Sequence, residues 1–156
     1  MRIHLIAVGT RMPDWVTQGY QDYARRLPRE CVLQLVEIPL GRRSKSQPAL
    51  QAQREEGRQM LAALPKDCAV IALDVQGQAW STPTLADHLR QWLGSGRDVA
   101  LLVGGPDGLA PDCLARAERS WSLSALTFPH ALVRIVLAEQ LYRAWSILNG
   151  HPYHRA

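Results

Sequence analysis

Three stretches of this chain combine residue types and spacing that chemistry needs. The first is His151-Pro152-Tyr153-His154-Arg155 at the C-terminal end. Tyr153 can stack on a base, His154 can move a proton near neutral pH, and Arg155 can hold an oxyanion or a phosphate. Pro152 stiffens the segment, although a solvated tail is the plain alternative, because chain ends fray. The second stretch is Gly104-Gly105-Pro106-Asp107-Gly108, where glycines let backbone N–H groups approach a ligand closely. It is neither a dinucleotide fingerprint, since Pro106 takes the second glycine place, nor a phosphate loop, since no Gly-Lys-Ser/Thr follows. A tight turn accounts for it equally well. The third runs from Ser122 to His130 and mixes small polar with apolar residues. Such a segment can wrap a flat ring with backbone groups, or serve as an ordinary strand followed by a helix cap at Thr127. Covalent catalysis has little support: no Gly-x-Ser-x-Gly elbow surrounds Ser122 or Ser124, and Cys113 has no histidine in a recognised pattern.

These stretches need elements to position them, and strands alternate with helices along the chain. Apolar runs at 3–8, 32–38, 68–73, 98–103 and 121–126 read as strands. Helices are expected from Asp14, as cap, to about Leu27, from Ala49 to Leu64, from Thr82 to Leu93, from Pro111 to Ser120, and from Pro129 to Asn149. Gln76-Gly77-Gln78 reads as a turn, and residues 40–48 as a basic loop. This order predicts an α/β domain spanning 1–156, with a mostly parallel sheet covered by helices on both faces. Ligands in such sheets sit at the carboxyl ends of strands. That singles out Leu73-Asp74, Gly104 to Leu109, and Leu126 to His130.

Composition narrows the partners. The 156 residues are 47% apolar, enough for one domain with a core. No apolar run approaches the roughly 20 residues that span a bilayer, and Ile3 to Val8 is too short for a signal peptide, so the chain reads as cytoplasmic. Cys31, Cys68 and Cys113 lack metal-ligand spacing and read as buried thiols, with no metal expected. The net charge is +4, and residues 1–66 carry +5 of it, with eleven Lys or Arg against six Asp or Glu. This asymmetry suits a polyanion partner, and Arg42-Arg43-Ser44-Lys45 reads as a phosphate contact or a solvated loop. Between Ala131 and Leu148 the last helix is polar only at Arg134, Glu139, Gln140, Arg143 and Ser146. It needs cover on nearly all sides, from a partner subunit or from deep burial in its own domain.

Taken in order, the segments resemble the RlmH family of ribosomal RNA large-subunit methyltransferases, within the SPOUT superfamily. The likeness rests on Leu5-Ile6-Ala7-Val8-Gly9-Thr10, Met12-Pro13-Asp14-Trp15-Val16, Leu73-Asp74 and Leu102-Val103-Gly104-Gly105-Pro106 with Gly108-Leu109. It continues through Trp121 to Thr127, Pro129-His130, Leu132-Val133-Arg134, Leu141 to Ile147 and His151 to Arg155. It covers essentially the whole chain in one register. Phe128 and Asp107 stand where Leu and Glu are also expected.

The resemblance implies a C-terminal trefoil knot, which no strand pattern would suggest. It also implies S-adenosyl-L-methionine as cofactor, held by Leu73, Gly104, Leu123, Ser124, Ala125, Leu126, Thr127 and Phe128. The implied reaction methylates N3 of a pseudouridine in 23S rRNA, on the assembled 70S ribosome, by a homodimer. An imide nitrogen keeps its proton at neutral pH, so His154 is the first candidate base. Arg155 or Arg134 is the candidate to stabilise carbonyl charge, and Tyr153 to orient a flipped base. A knotted transfer RNA methyltransferase and a non-catalytic ribosome-binding protein are the competing readings.

Overall fold

The computed structural model describes residues 1–155. Five strands form one sheet: β1 (Arg2–Val8), β2 (Val32–Ile38), β3 (Ala69–Ala79), β4 (Val99–Val103) and β5 (Arg119–Ser122). Their order across the sheet is β2-β1-β4-β3-β5, and every pairing is parallel. A parallel strand must cross over to reach its neighbour, and helices make the crossings. These are α1 (Asp14–Ala24), α2 (Ala49–Ala62), α3 (Thr82–Ser95) and α4 (Pro111–Arg116), with α5 (His130–Leu148) closing the chain.

Alternation along the strands divides the core in two. Ile3, Leu5, Leu101 and Val103 face α1, α3 and α5, packing with Tyr20, Leu85, Leu89, Leu137 and Leu141. Ile6, Val8, Ala100 and Leu102 point the other way and pack with Met60 and Cys113 from α2 and α4. All five residues of β4 are buried, as a central parallel strand requires. The three cysteines are free and buried.

The α/β fold and the positions of most elements follow the sequence reading, and the departures have local causes. Pro13, not Asp14, occupies the cap position of α1, and Asp14 lies in the first turn, where its charge favours the helix N-terminus. Gln76-Gly77-Gln78 is not a turn but a continuation of β3. A Cβ on Gly77 would lie 2.6 Å from the Ser120 carbonyl carbon, so the glycine serves close approach to β5. That strand ends at Ser122, four residues short of Leu126, and frees the segment after it.

The apolar character of α5 is answered largely within the chain. It packs between α1 and α3, and Leu137, Ala138, Leu141 and Ala144 are fully buried. A glutamate at Leu141 would place an unpaired charge in the core, costing several kcal/mol, and would unfold the chain rather than separate subunits. Near the start of α5, Arg134 is 2% exposed. It donates from Nη1 to Glu37 Oε2 at 2.6 Å and from Nη2 to the Gly9 carbonyl at 2.8 Å. Glu37 and Gly9 lie at the carboxyl ends of β2 and β1, whereas β5 is the opposite edge strand. The chain between Ser122 and Arg134 therefore crosses the whole carboxyl rim of the sheet.

Candidate active site

The three strand-end loops meet in one open cleft of about 660 Å³, within the range that holds a cofactor-sized molecule. Each loop arrives for a separate local reason. β3 pairs with β5 up to Leu73 and again from Gln78, and the register breaks between them, so Asp74, Val75 and Gln76 bow out into the cleft wall. β4 ends in a turn closed by the Gly108 N–H donating to the Gly105 carbonyl at 3.1 Å. A Cβ on Gly104 would lie 2.5 Å from the Gly108 carbonyl carbon and 2.7 Å from the Leu109 nitrogen. Only glycine lets this turn fold back on itself, so the constraint is the loop's own backbone rather than space beside a ligand. Gly108 has φ +78°, a second place where the turn requires glycine.

After β5, Ser122 Oγ donates to the Ser124 carbonyl at 3.1 Å, and the Leu126 N–H donates to Ser124 Oγ at 3.0 Å. The latter is the one hydrogen bond given by a backbone N–H from Ser124 to Phe128 among the described residues. The loop thus leaves most of its backbone N–H groups without a protein partner, beside apolar Leu73, Leu123, Phe128 and Val133. Val75 and Leu126, each 70% exposed, leave an apolar rim.

Of the eight residues expected to hold the cofactor, Leu73, Gly104, Leu123, Ser124, Leu126, Thr127 and Phe128 line this cleft. Ala125 lies on the same loop outside the lining. His130 and Asp74, on loops the sequence singled out, also line it, whereas the sequence reading missed Val133, from the first turn of α5, and Val75 and Gln76. The cradle and its size fit a bent nucleoside ligand: backbone amides for its polar edges and aliphatic walls for its ring.

The expected chemical groups lie elsewhere. Arg134 does not line the cleft. Its two terminal nitrogens are engaged, its Nε is buried without a partner, and it holds Gly9 near His130. The tail turns back along α5 in a short 3-10 turn, Pro152–His154. Tyr153 packs on Tyr142 with ring centroids 4.6 Å apart and donates from its hydroxyl to Glu139 Oε2 at 3.0 Å. Burial, then the carboxylate it donates to, pushes its phenol up to about 12. It stays protonated at neutral pH, so it is a donor and a stacking surface, not a base. Arg143 Nε also donates to Glu139 Oε2, at 3.0 Å. Glu139 and Arg143 were not expected to take part. Their spacing of four on an otherwise apolar helix was the signal available. His154 is half-buried with Nδ1 unpartnered, and Arg155 is exposed. None of Tyr153, His154 and Arg155 lines the cleft of its own chain.

The family described as "Predicted SPOUT methyltransferase" matches residues 1–154. The chain belongs to the SPOUT methyltransferases. A curated relative, Ribosomal RNA large subunit methyltransferase H of Alkalilimnicola ehrlichii, is 67% identical over 156 residues and covers 100% of both chains. Solved structures agree in fold. A probable methylase family protein from Haemophilus influenzae superposes with TM-score 0.56 at 14% identity, over 99% of this chain and 70% of that one. A putative methyltransferase from Legionella pneumophila, in complex with bound S-adenosylmethionine, does so with TM-score 0.50 at 11% identity, over 93% and 66%. S-adenosyl-L-methionine is the methyl donor of SPOUT methyltransferases, and the loops described above are the residues of this chain suited to it. Among the described residues, no group of three His, Cys, Asp or Glu is placed to hold a metal, and no helix is long and apolar enough to cross a membrane.

Proposed function

We propose that this SPOUT methyltransferase acts in the cytoplasm as a homodimer and methylates N3 of a pseudouridine in 23S rRNA of the assembled ribosome. The convergence of three strand-end loops on one glycine-cradled cleft carries the reading, and the full-length identity to a large-subunit rRNA methyltransferase gives its substrate class. The crossing of residues 123–133 over the sheet rim supports extending the proposal to a C-terminal trefoil knot.

The cofactor supplies an activated methyl group on a sulfonium. Leu73, Gly104 and the 123–128 loop orient it, and alignment with the attacking nitrogen accounts for much of the acceleration. As the new N–CH3 bond forms and the S–CH3 bond breaks, the proton on N3 must leave. We assign its removal to His154, charge on the flanking carbonyls to Arg155, and orientation of the base to Tyr153. Arg134 we assign to holding Gly9 and His130 at the cleft mouth. Since the tail does not line its own cleft, we assign it to the cleft of a second copy, across an interface of at least about 1,200 Å² in total.

Mass spectrometry of RNA from a strain lacking the gene tests the substrate. The expected result is loss of one methyl on a pseudouridine of large-subunit rRNA, restored by the wild-type gene. Loss of a transfer RNA modification instead, or no loss at all, would sink the assignment. Shared sites are tested by mixing two inactive proteins, Gly104→Val and His154→Ala, which should partly regain activity. No recovery after verified subunit exchange counts against the shared site.

A further inference from the structure

The loop that follows β4 is fastened from outside the cleft. Glu56 on α2 is 2% exposed, and a carboxylate so far from water needs strong partners. It accepts from the Gly41 N–H at 2.8 Å and from Arg43 Nη1 at 2.8 Å. The same guanidinium reaches the other way, donating from Nε to Asp107 Oδ2 at 2.9 Å, while Nη1 also meets the Gly41 carbonyl at 3.0 Å. One helical turn away, Gln53 Nε2 donates to the Asp107 carbonyl at 2.7 Å. A Cβ on Gly105 would lie 3.4 Å from Glu56 Oε1. The 104–109 loop therefore rests on Glu56 and is tied at its tip by Arg43.

An exposed ion pair alone contributes little. Here one planar guanidinium is shared between a buried carboxylate and a second one, and its fork fixes direction as well as distance. Neither Arg43 nor Glu56 lines the cleft. Arg43 is half-buried and turned inward, whereas Arg42 and Lys45 beside it are exposed. The basic segment 40–48 thus divides its cations between a surface role and an internal one.

We infer that Arg43 is a positioning residue for methyl-donor binding: a latch, anchored on Glu56, that holds the 104–109 loop in its ligand-accepting shape through Asp107. The inference rests on the cleft being the S-adenosylmethionine site.

The test is a double-mutant cycle read by calorimetry with S-adenosylmethionine, on wild type, Arg43→Ala, Asp107→Ala and the double variant. Each single change should weaken binding about tenfold, and the pair by about the same factor rather than by its square, because both break one link. Arg43→Lys, which keeps the charge but not the fork, should recover some of the loss. Hydrogen exchange without ligand should quicken in residues 104–109 and not in 99–103. Should Arg43→Ala fail to fold, Asp107→Ala, a change in an exposed side chain, gives the same exchange readout. Unchanged affinity in Arg43→Ala, losses that multiply in the double variant, or unchanged exchange in the loop would overturn the latch alone. Failure of the wild-type protein to bind the ligand would overturn the cofactor reading first, and the latch with it.

Discussion

The cleft and the tail are built from opposite materials. The cleft is mainly turned backbone: a bowed segment of β3, a glycine turn after β4, and a loop after β5 whose amides are largely unspent. The tail is side chains, with Tyr153 lying on Tyr142 and bonded to Glu139, His154 with one nitrogen unpartnered, and Arg155 in solvent. Holding a cofactor takes shape, which a rigid sheet rim supplies. Handling a proton takes titratable groups, and Tyr153, His154 and Arg155 lie outside the cleft of their own chain. The contrast teaches that the two tasks can fail independently, and the proposed sharing of sites between two copies turns on that independence.

Gly104→Val should break the first half most completely. Its side chain would meet the backbone of Gly108 and Leu109, so S-adenosylmethionine affinity should fall about a hundredfold or more. Circular dichroism should remain that of a folded protein, because the turn lies on the rim. Wild-type affinity in calorimetry would refute the cradle. Deleting residues 151–156 should break the other half, lowering methylation at least about a hundredfold while leaving cofactor affinity within about twofold. A parallel collapse of cofactor binding would show that the tail belongs to its own cleft.

Tyr153→Phe should have the smallest effect. It removes one hydrogen bond to a carboxylate and lowers stability by about 1–2 kcal/mol. The sign of its pH dependence follows from the phenol being raised from its usual 10.0 to about 12. Below pH 10 the hydrogen bond contributes fully, and it is lost as pH rises through about 12. Tyrosinate absorbance of the wild type should therefore include one late phenol that the variant lacks. If the phenol missing from the variant is instead one that titrates near the usual 10.0, Tyr153 is separated from Glu139.

Much of this architecture was legible because burial and chain direction leave strong marks. The runs at 3–8 and 98–103 read as strands, and they fall within one residue of β1 and β4. The cleft loops were legible because ligands in open parallel sheets sit at strand ends. What stayed hidden depended on distance in sequence. Gly77 looked like a turn because nothing nearby says that the backbone of Ser120 lies against it. Arg43 looked like a surface cation because its partners, Glu56 and Asp107, are 13 and 64 residues away. A charge-reversal test of RNA contact therefore belongs on Arg42 and Lys45. The last helix looked available to a partner because periodicity shows that a helix is covered, not by what.

Arg134 ties the beginning of the chain to its end, bonded to residues 97 and 125 positions earlier. During synthesis, every strand of the sheet leaves the ribosome before the helix that carries this arginine. Until then Gly9 and Glu37 lack their shared partner, and the core side that awaits Leu137 and Leu141 lies open. A chain cut short before His130 therefore has its glycine turn but lacks Arg134 and the α5 side chains that complete one face of the core. The lining of the cleft is thus complete only once His130 and Val133 have been made.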